Sequence, residues 1–192
     1  MIVIQDFPDP DAIASAYAHQ LISSRFDIQT EIVYAEQISH LQNIALVKLL
    51  NIATTRFDPS MDLSRFDGAV FIDTQGTTSA GILEALEDAA VPAVIVVDHH
   101  EPQDRIEPEF SDIRRIGAAA TMFAQYIEQG ALQFDKSQRE HVAVATALLH
   151  GILTDTNGFI RAGEEDFAAA GYLSRLRDSD LLQQVMTQGA PS

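Results

Sequence analysis

Four short stretches of this chain bring carboxylates and imidazoles to places where chemistry could be done. They are Asp9-x-Asp11, Asp73, the triplet Asp98-His99-His100, and Asp155 within Thr154-Asp155-Thr156. Hard divalent cations such as Mn²⁺ take carboxylate oxygens and an occasional imidazole, and one carboxylate can bridge two ions. Four Asp and one His, supplied by four separated loops, could surround such a site. An isolated Asp-x-Asp carries little weight, because loops are rich in Asp. The four stretches in this order and context carry much more.

The elements that must position these groups are legible in the hydrophobic pattern. Ala93–Val97 is an unbroken apolar run ending in the acid and the two imidazoles, which reads as a strand buried on both faces of a parallel sheet. Met1–Ile4 and Gly68–Ile72 read likewise, and Ile28–Val33 is expected as a further strand. Helical spacing is expected over Ala12–Arg25, His40–Leu50 and Ser79–Ala89. Strand–helix alternation of this kind specifies an α/β fold, a doubly wound, mostly parallel sheet with flanking helices. Open parallel sheets bind ligands beyond the carboxyl ends of their strands, where these acids and imidazoles fall.

From residue 117 onward the pattern turns helical. Helices are expected over Gly117–Gln129, Gln138–Leu153, Glu164–Arg177 and Asp180–Met186, followed by a linker start at Gln188–Ser192. The expected organisation is one catalytic domain over residues 1–160 and a helical extension and interdomain linker over 161–192.

Composition bounds the function. The chain has 192 residues, 46% hydrophobic and 21% charged, with a net charge of −16 and no cysteine. Disulfides and thiolate metal sites are therefore excluded. An acidic surface repels phosphate backbones, so long nucleic acid is not an expected partner of this region. No apolar stretch reaches membrane-spanning length and no basic, signal-like segment precedes the first strand; no membrane partner and a cytoplasmic setting are expected. His19, His40, His141 and His150 fall on expected helices and read as structural or solvated. Arg114 and Arg115 could meet a phosphate, with a solvated strand edge as the plainer reading. Gly76–Ser79 reads as a helix cap.

Across roughly residues 1–160 the sequence resembles the DHH phosphoesterase superfamily. The matching motifs are Pro8-Asp9-x-Asp11-Ala12-Ile13-Ala14-Ser15, Phe71-Ile72-Asp73, Asp98-His99-His100 and Gly151-Ile152-Leu153-Thr154-Asp155-Thr156. Gly117-Ala118-Ala119-Ala120-Thr121 is similar to the small-residue segment of its oligoribonuclease and nucleotide-phosphatase branch. The resemblance implies two Mn²⁺ ions, with Mg²⁺ as the other candidate. Asp11, His99 and Asp155 would hold one ion, Asp9 the other, and Asp73 would bridge them. His100 would contact the scissile phosphate, and Asp98 would orient an imidazole. A hydroxide generated at the metals would attack phosphorus in line.

Two departures from the family pattern stand out. Many members carry His where this chain has Gln5, whose carboxamide is a weaker ligand for the second ion. The glycine-rich, basic substrate-binding motif of the family's second domain is also not seen after Asp155. The expected function is a Mn²⁺-dependent phosphoesterase acting on phosphodiester or phosphomonoester bonds of small nucleotides or short oligonucleotides. The rivals are a manganese inorganic pyrophosphatase or exopolyphosphatase, and a catalytically weak metal- or nucleotide-sensing module. A homodimer is compatible with all three.

Overall fold

The structure, a computed structural model, describes residues 1–188; the expected linker start at 189–192 lies outside the described residues. Six parallel strands form one sheet in the order β3-β2-β1-β4-β5-β6. They are β1 (Ile2–Val3), β2 (Ile32–Tyr34), β3 (Thr54–Arg56), β4 (Ala69–Ile72), β5 (Ala93–Asp98) and β6 (Phe110–Ile113). Ile2 of β1 is in register with Ile32 on one side and with Val70 on the other. The strand order therefore reverses at β1, and a crevice opens beyond the carboxyl ends of β1 and β4.

Among the described residues seven α-helices accompany the sheet: α1 (Pro10–Ser24), α2 (Leu41–Leu49), α3 (Ala80–Asp88), α4 (Ala119–Glu128), α5 (Arg139–Asp155), α6 (Glu164–Ser174) and α7 (Ser179–Gln188). Strand alternation divides the core between two faces. Ile2, Ile4, Ile32, Val70, Ile72 and Val97 point toward α1, α4 and α5, whereas Val3, Val33, Phe71 and Val96 point toward α3. Among the core side chains of α1, Ala12, Ile13, Ala14, Ala16 and Ala18 are all buried, because the helix lies between the sheet and α4 and α5. Its alanines keep those neighbours close. The α/β, mostly parallel architecture with a helical second half matches the sequence expectation.

Three details differ from it. The strand expected over Ile28–Val33 starts only at Ile32, because the preceding backbone is used to end α1. The Ile28 N–H donates to the Ser23 carbonyl, and the Thr30 carbonyl accepts from the Gln20 amide. β3 is not among the expected strands, and β6 is anticipated only by the strand edge expected at Arg114 and Arg115. Both are short, partly exposed edge strands without an apolar run, which is how edges avoid pairing with other chains. Gly76–Ser79 forms a 3-10 turn ahead of α3, with no side-chain cap. The helices α6 and α7 pack against the body, α6 on α4 and α5, α7 on α2 and α5. Among the described residues no helix is long and apolar enough to cross a membrane.

Candidate metal centre

Each of the four stretches is delivered to the crevice by a different device. After β1, Asp9 caps α1, its Oδ1 accepting the Ala12 N–H at 2.8 Å, and Pro10 occupies the first helical position. This fixes Asp11 in the first turn, fully buried. Asp11 in turn accepts the Ala119 N–H on Oδ2 at 2.8 Å and the Ala120 N–H on Oδ1 at 2.7 Å, so its carboxylate sits on the positive end of α4. The small run Gly117–Ala120 is what lets that helix end come so near. Gly151 does the same for α5: a Cβ there would lie 3.2 Å from the Asp11 Cα.

Asp73 ends β4 with a left-handed backbone, φ 58°. That conformation costs about 1 kcal/mol or more for a non-glycine residue, and here it turns the carboxylate into the crevice. Asp98 closes β5. Asp155 is the last residue of α5.

These devices converge on the His99 ring. Its Nδ1 donates to the Ile116 carbonyl at 3.0 Å, which leaves Nε2 as the ring nitrogen directed inward. Nε2 lies 3.1 Å from Asp73 Oδ1, 3.1 Å from Asp155 Oδ2 and 3.5 Å from Asp11 Oδ2. It nevertheless makes no hydrogen bond of good geometry, and neither does Asp73 Oδ1, although both atoms are buried. Without a cation such a cluster is electrostatically costly. Burial, reinforced by neighbouring acids, raises the Asp11 carboxyl well above the usual range, and burial raises Asp73 likewise. Burial opposes charging of His99, but the approach of Asp155 and Asp73 outweighs it and pushes the ring up to about 12. Buried oxygen and imidazole donors without partners, a fixed tautomer and mutually repelling acids are the features a divalent cation would satisfy. The donor set therefore fits a hard cation.

His100 is arranged differently. Its Nδ1 donates to Asp98 Oδ1 at 2.7 Å, and half of its side chain is exposed. The hydrogen bond to Asp98 raises the His100 pKa above its ordinary value, favouring the cationic ring. Burial opposes ionisation of Asp98, yet its hydrogen bonds from His100 and Gln75 outweigh that and keep its pKa low.

Donor atoms of Asp73, Asp98, His99 and His100 lie within 4.8 Å of one another, as do those of Asp11, His99 and Asp155. Asp9 falls outside both groups, although its carboxyl senses the charges of Asp155, His99 and His100. Gln5 reaches the cluster through its amide nitrogen, which donates to Asp73 Oδ2 at 3.1 Å and to the Asp73 carbonyl at 3.0 Å. The picture of four loops needs correcting in one respect: Asp11 and Asp155 stand on the ends of helices, where α1 and α5 hold them more rigidly than loops could.

The pattern of acids after β1 and β4, with Asp-His-His after β5, is matched over residues 1–152 by the model of the DHH family, N-terminal domain. The chain belongs to the DHH family. Its DHH triplet is Asp98-His99-His100. An uncharacterized protein of Methanocaldococcus jannaschii is 32% identical over 181 residues, 93% of this chain and 35% of that protein. Two solved structures share the fold. One is described as a putative family II inorganic pyrophosphatase from Methanococcus jannaschii, with a TM-score of 0.71 and 16% identity over 97% of this chain and 60% of that one. The other is an exopolyphosphatase-related protein from Bacteroides fragilis, with a TM-score of 0.73 and 18% identity over 100% of this chain and 56% of that one. The DHH chain described here thus spans about a third of the curated relative and less than two thirds of each solved chain.

Two supporting residues of the DHH chain were missed by sequence reasoning. Buried Gln75 donates to Asp98 Oδ2 at 2.7 Å and accepts the Gln103 N–H at 2.7 Å, bracing the loop that leaves the triplet. Buried Asp166 accepts from the Thr121 hydroxyl at 2.7 Å and the Gly163 N–H at 2.8 Å, and it packs on Gly117, beside the carbonyl that fixes His99. Gln75 stands two residues after Asp73, a proximity that could have flagged it. Asp166 carries no local signal. Arg114, weighed as a phosphate contact, is tied to Asp112 and Gln125.

Proposed function

We propose that this chain carries a metal-dependent phosphoesterase centre that hydrolyses phosphodiester or phosphomonoester bonds in small nucleotides or short oligonucleotides. The observation that carries this reading is the buried, unpartnered Nε2 of His99 facing Asp11, Asp73 and Asp155 within 3.5 Å, in a chain of the DHH family. Asp11, His99 and Asp155 would hold one Mn²⁺, Asp9 a second, weakly supported by Gln5, and Asp73 would bridge them; Mg²⁺ suits the same oxygens. Bound there, the cations would lower the pKa of water and offset charge on the phosphoryl oxygens.

The remaining roles belong to the protein. Ile116 fixes the His99 tautomer by accepting its Nδ1–H. Asp98 holds His100 by Nδ1, so that the cationic ring can present Nε2–H to a phosphoryl oxygen. The helix ends at Asp11 and Asp155 restrict the acids before any ligand arrives, which limits reorganisation during the reaction. Residues 1–160 form the catalytic domain in this proposal, and the helices after it an extension packed on that domain.

A second reading, a manganese inorganic pyrophosphatase or exopolyphosphatase, is favoured by the descriptions of the two solved structures that share this fold. Phosphate release from pyrophosphate, short polyphosphate, dinucleotides and phosphoadenosine phosphate, with and without Mn²⁺, separates the readings. Asp73→Asn is expected to abolish turnover and to lower bound metal together. Near-normal activity in that variant would overturn the proposal.

A further inference from the structure

Beside the cluster lies a cleft of about 550 Å³ whose walls include His99, Arg115 and Arg161 together with the acids Glu164, Glu165 and Asp166. Its two arginines stand among these acids on a strongly acidic chain. From its wall at His99 it continues directly from the candidate metal centre. We propose that Arg161, assisted by Arg115, forms a subsite for a second phosphate group of the substrate, next to the one at the metal centre. This rests on the phosphoesterase reading, and it narrows the substrate to molecules with a terminal phosphate beyond the scissile one.

The backbone is built to deliver Arg161. After α5 ends at Asp155, Asn157, Gly158 and Phe159 all take left-handed conformations, with φ of 51°, 63° and 71°. The Arg161 N–H is then anchored to the Thr156 carbonyl at 2.9 Å. The arginine therefore follows a cluster residue by six positions through a tightly specified loop. Among the described residues its exposed guanidinium has no hydrogen-bond or ion-pair partner.

Arg115 is engaged by Glu101, but both side chains of that pair are more than 70% exposed. Exposed pairs of this kind hold weakly, so a doubly charged phosphate can draw the guanidinium away. Two of the three acids in its wall are engaged elsewhere. Asp166 is turned inward onto Thr121 and Gly163, and the Glu165 carboxylate accepts from the Gln125 amide at 3.1 Å. The N-cap of α6 is Gly163, which has no side chain to accept from the first turn.

The test uses the whole chain with Mn²⁺ and measures binding by calorimetry, with orthophosphate and imidodiphosphate as probes. Imidodiphosphate is a pyrophosphate mimic with a nitrogen bridge. A 5′-phosphorylated dinucleotide and its unphosphorylated form serve as the nucleotide arm. Arg161→Gln is expected to weaken imidodiphosphate, or the 5′-phosphorylated dinucleotide, by about tenfold or more, the loss typical of a charged hydrogen-bond donor. Orthophosphate and the unphosphorylated dinucleotide should change less than about twofold, and Arg161→Lys should recover part of the loss. The arm with the larger loss names the source of the second phosphate. In kinetics, KM for that substrate should rise by more than kcat falls. Equal binding of all probes by wild type and Arg161→Gln, or equal losses on all of them, would overturn the subsite. No turnover of any phosphoester by wild type would instead overturn the phosphoesterase reading, and the binding arm would still decide the subsite.

Discussion

The contact between Gly117 and Asp166 can be tested quantitatively, because the two residues compete for one space. Asp166 is buried and accepts two hydrogen bonds, from the Thr121 hydroxyl, itself fully buried, and from the Gly163 N–H. Asp166→Ala leaves both donors without their partner, at about 1–3 kcal/mol each, and at the lower end for the less buried N–H. The expected loss is about 2–4 kcal/mol, or roughly 6–12 °C in Tm for a chain of this size. Gly117→Ala reaches a similar loss by another route. Its Cβ would lie 2.7 Å from the Asp166 Cγ and 2.8 Å from Oδ1, so the carboxylate must leave the same two donors. Once Asp166 is Ala, the clash is gone. The double variant should therefore be no less stable than Asp166→Ala alone, a coupling of about 2 kcal/mol or more. Urea unfolding of the four proteins of the cycle measures it. Losses that simply add, within about 0.5 kcal/mol, would refute the shared-space argument. Both single variants should also weaken Mn²⁺ binding, because Ile116, whose carbonyl holds His99 Nδ1, adjoins Gly117.

Two further outcomes are expected. Wild type titrated with Mn²⁺ should show one tight and one weak ion, and Gln5→His should strengthen the weak one by about tenfold, imidazole being the better ligand; two equally tight sites in wild type, or no gain in the variant, would contradict this. His150 is buried, neither ring nitrogen has a partner, and burial pushes its pKa down to about 4. The unfolded ring binds its proton near pH 6.5, so His150 should cost stability progressively as pH falls from about 6.5 to about 4, with no penalty above that window. His150→Phe should therefore lose less stability than wild type between pH 7 and pH 4.5; equal losses in denaturant unfolding would show that His150 does not carry the effect.

What was legible in the sequence was whatever local pattern encodes. The strands β1, β4 and β5 are unbroken apolar runs, buried throughout in β1 and β4 and over the second half of β5, and each must end where the sheet ends, so the acids and imidazoles that follow could be assigned to one edge without any contact being known. The edge strands β3 and β6 lack such a run, because their side chains are only partly buried, so β3 went unread and β6 was anticipated only as a strand edge. Helix bounds were read to within a few residues, but that small error decided whether Asp11 and Asp155 stood on helices or in loops. A carboxylate on a helix end inherits the position of the whole helix, and α1 and α5 are packed against each other.

The supports of the cluster were illegible for a different reason. Asp11 and Ala120, which share a hydrogen bond, are 109 residues apart, and Thr121 and Asp166 are 45 apart. Periodicity says which face of a helix is buried, not which distant donor meets it. The segment Gly117–Thr121 shows what a sequence can offer in such a case. Its small residues announce that something comes close, and the structure supplies what does: the Asp11 carboxylate on one side, Asp166 on the other, and the His99 ring held between by the carbonyl of Ile116. The acids that do chemistry and the residues that fix them are therefore encoded in different ways. The first follow from the ends of strands and helices, and the second only from the packing of α4 against α1 and α6.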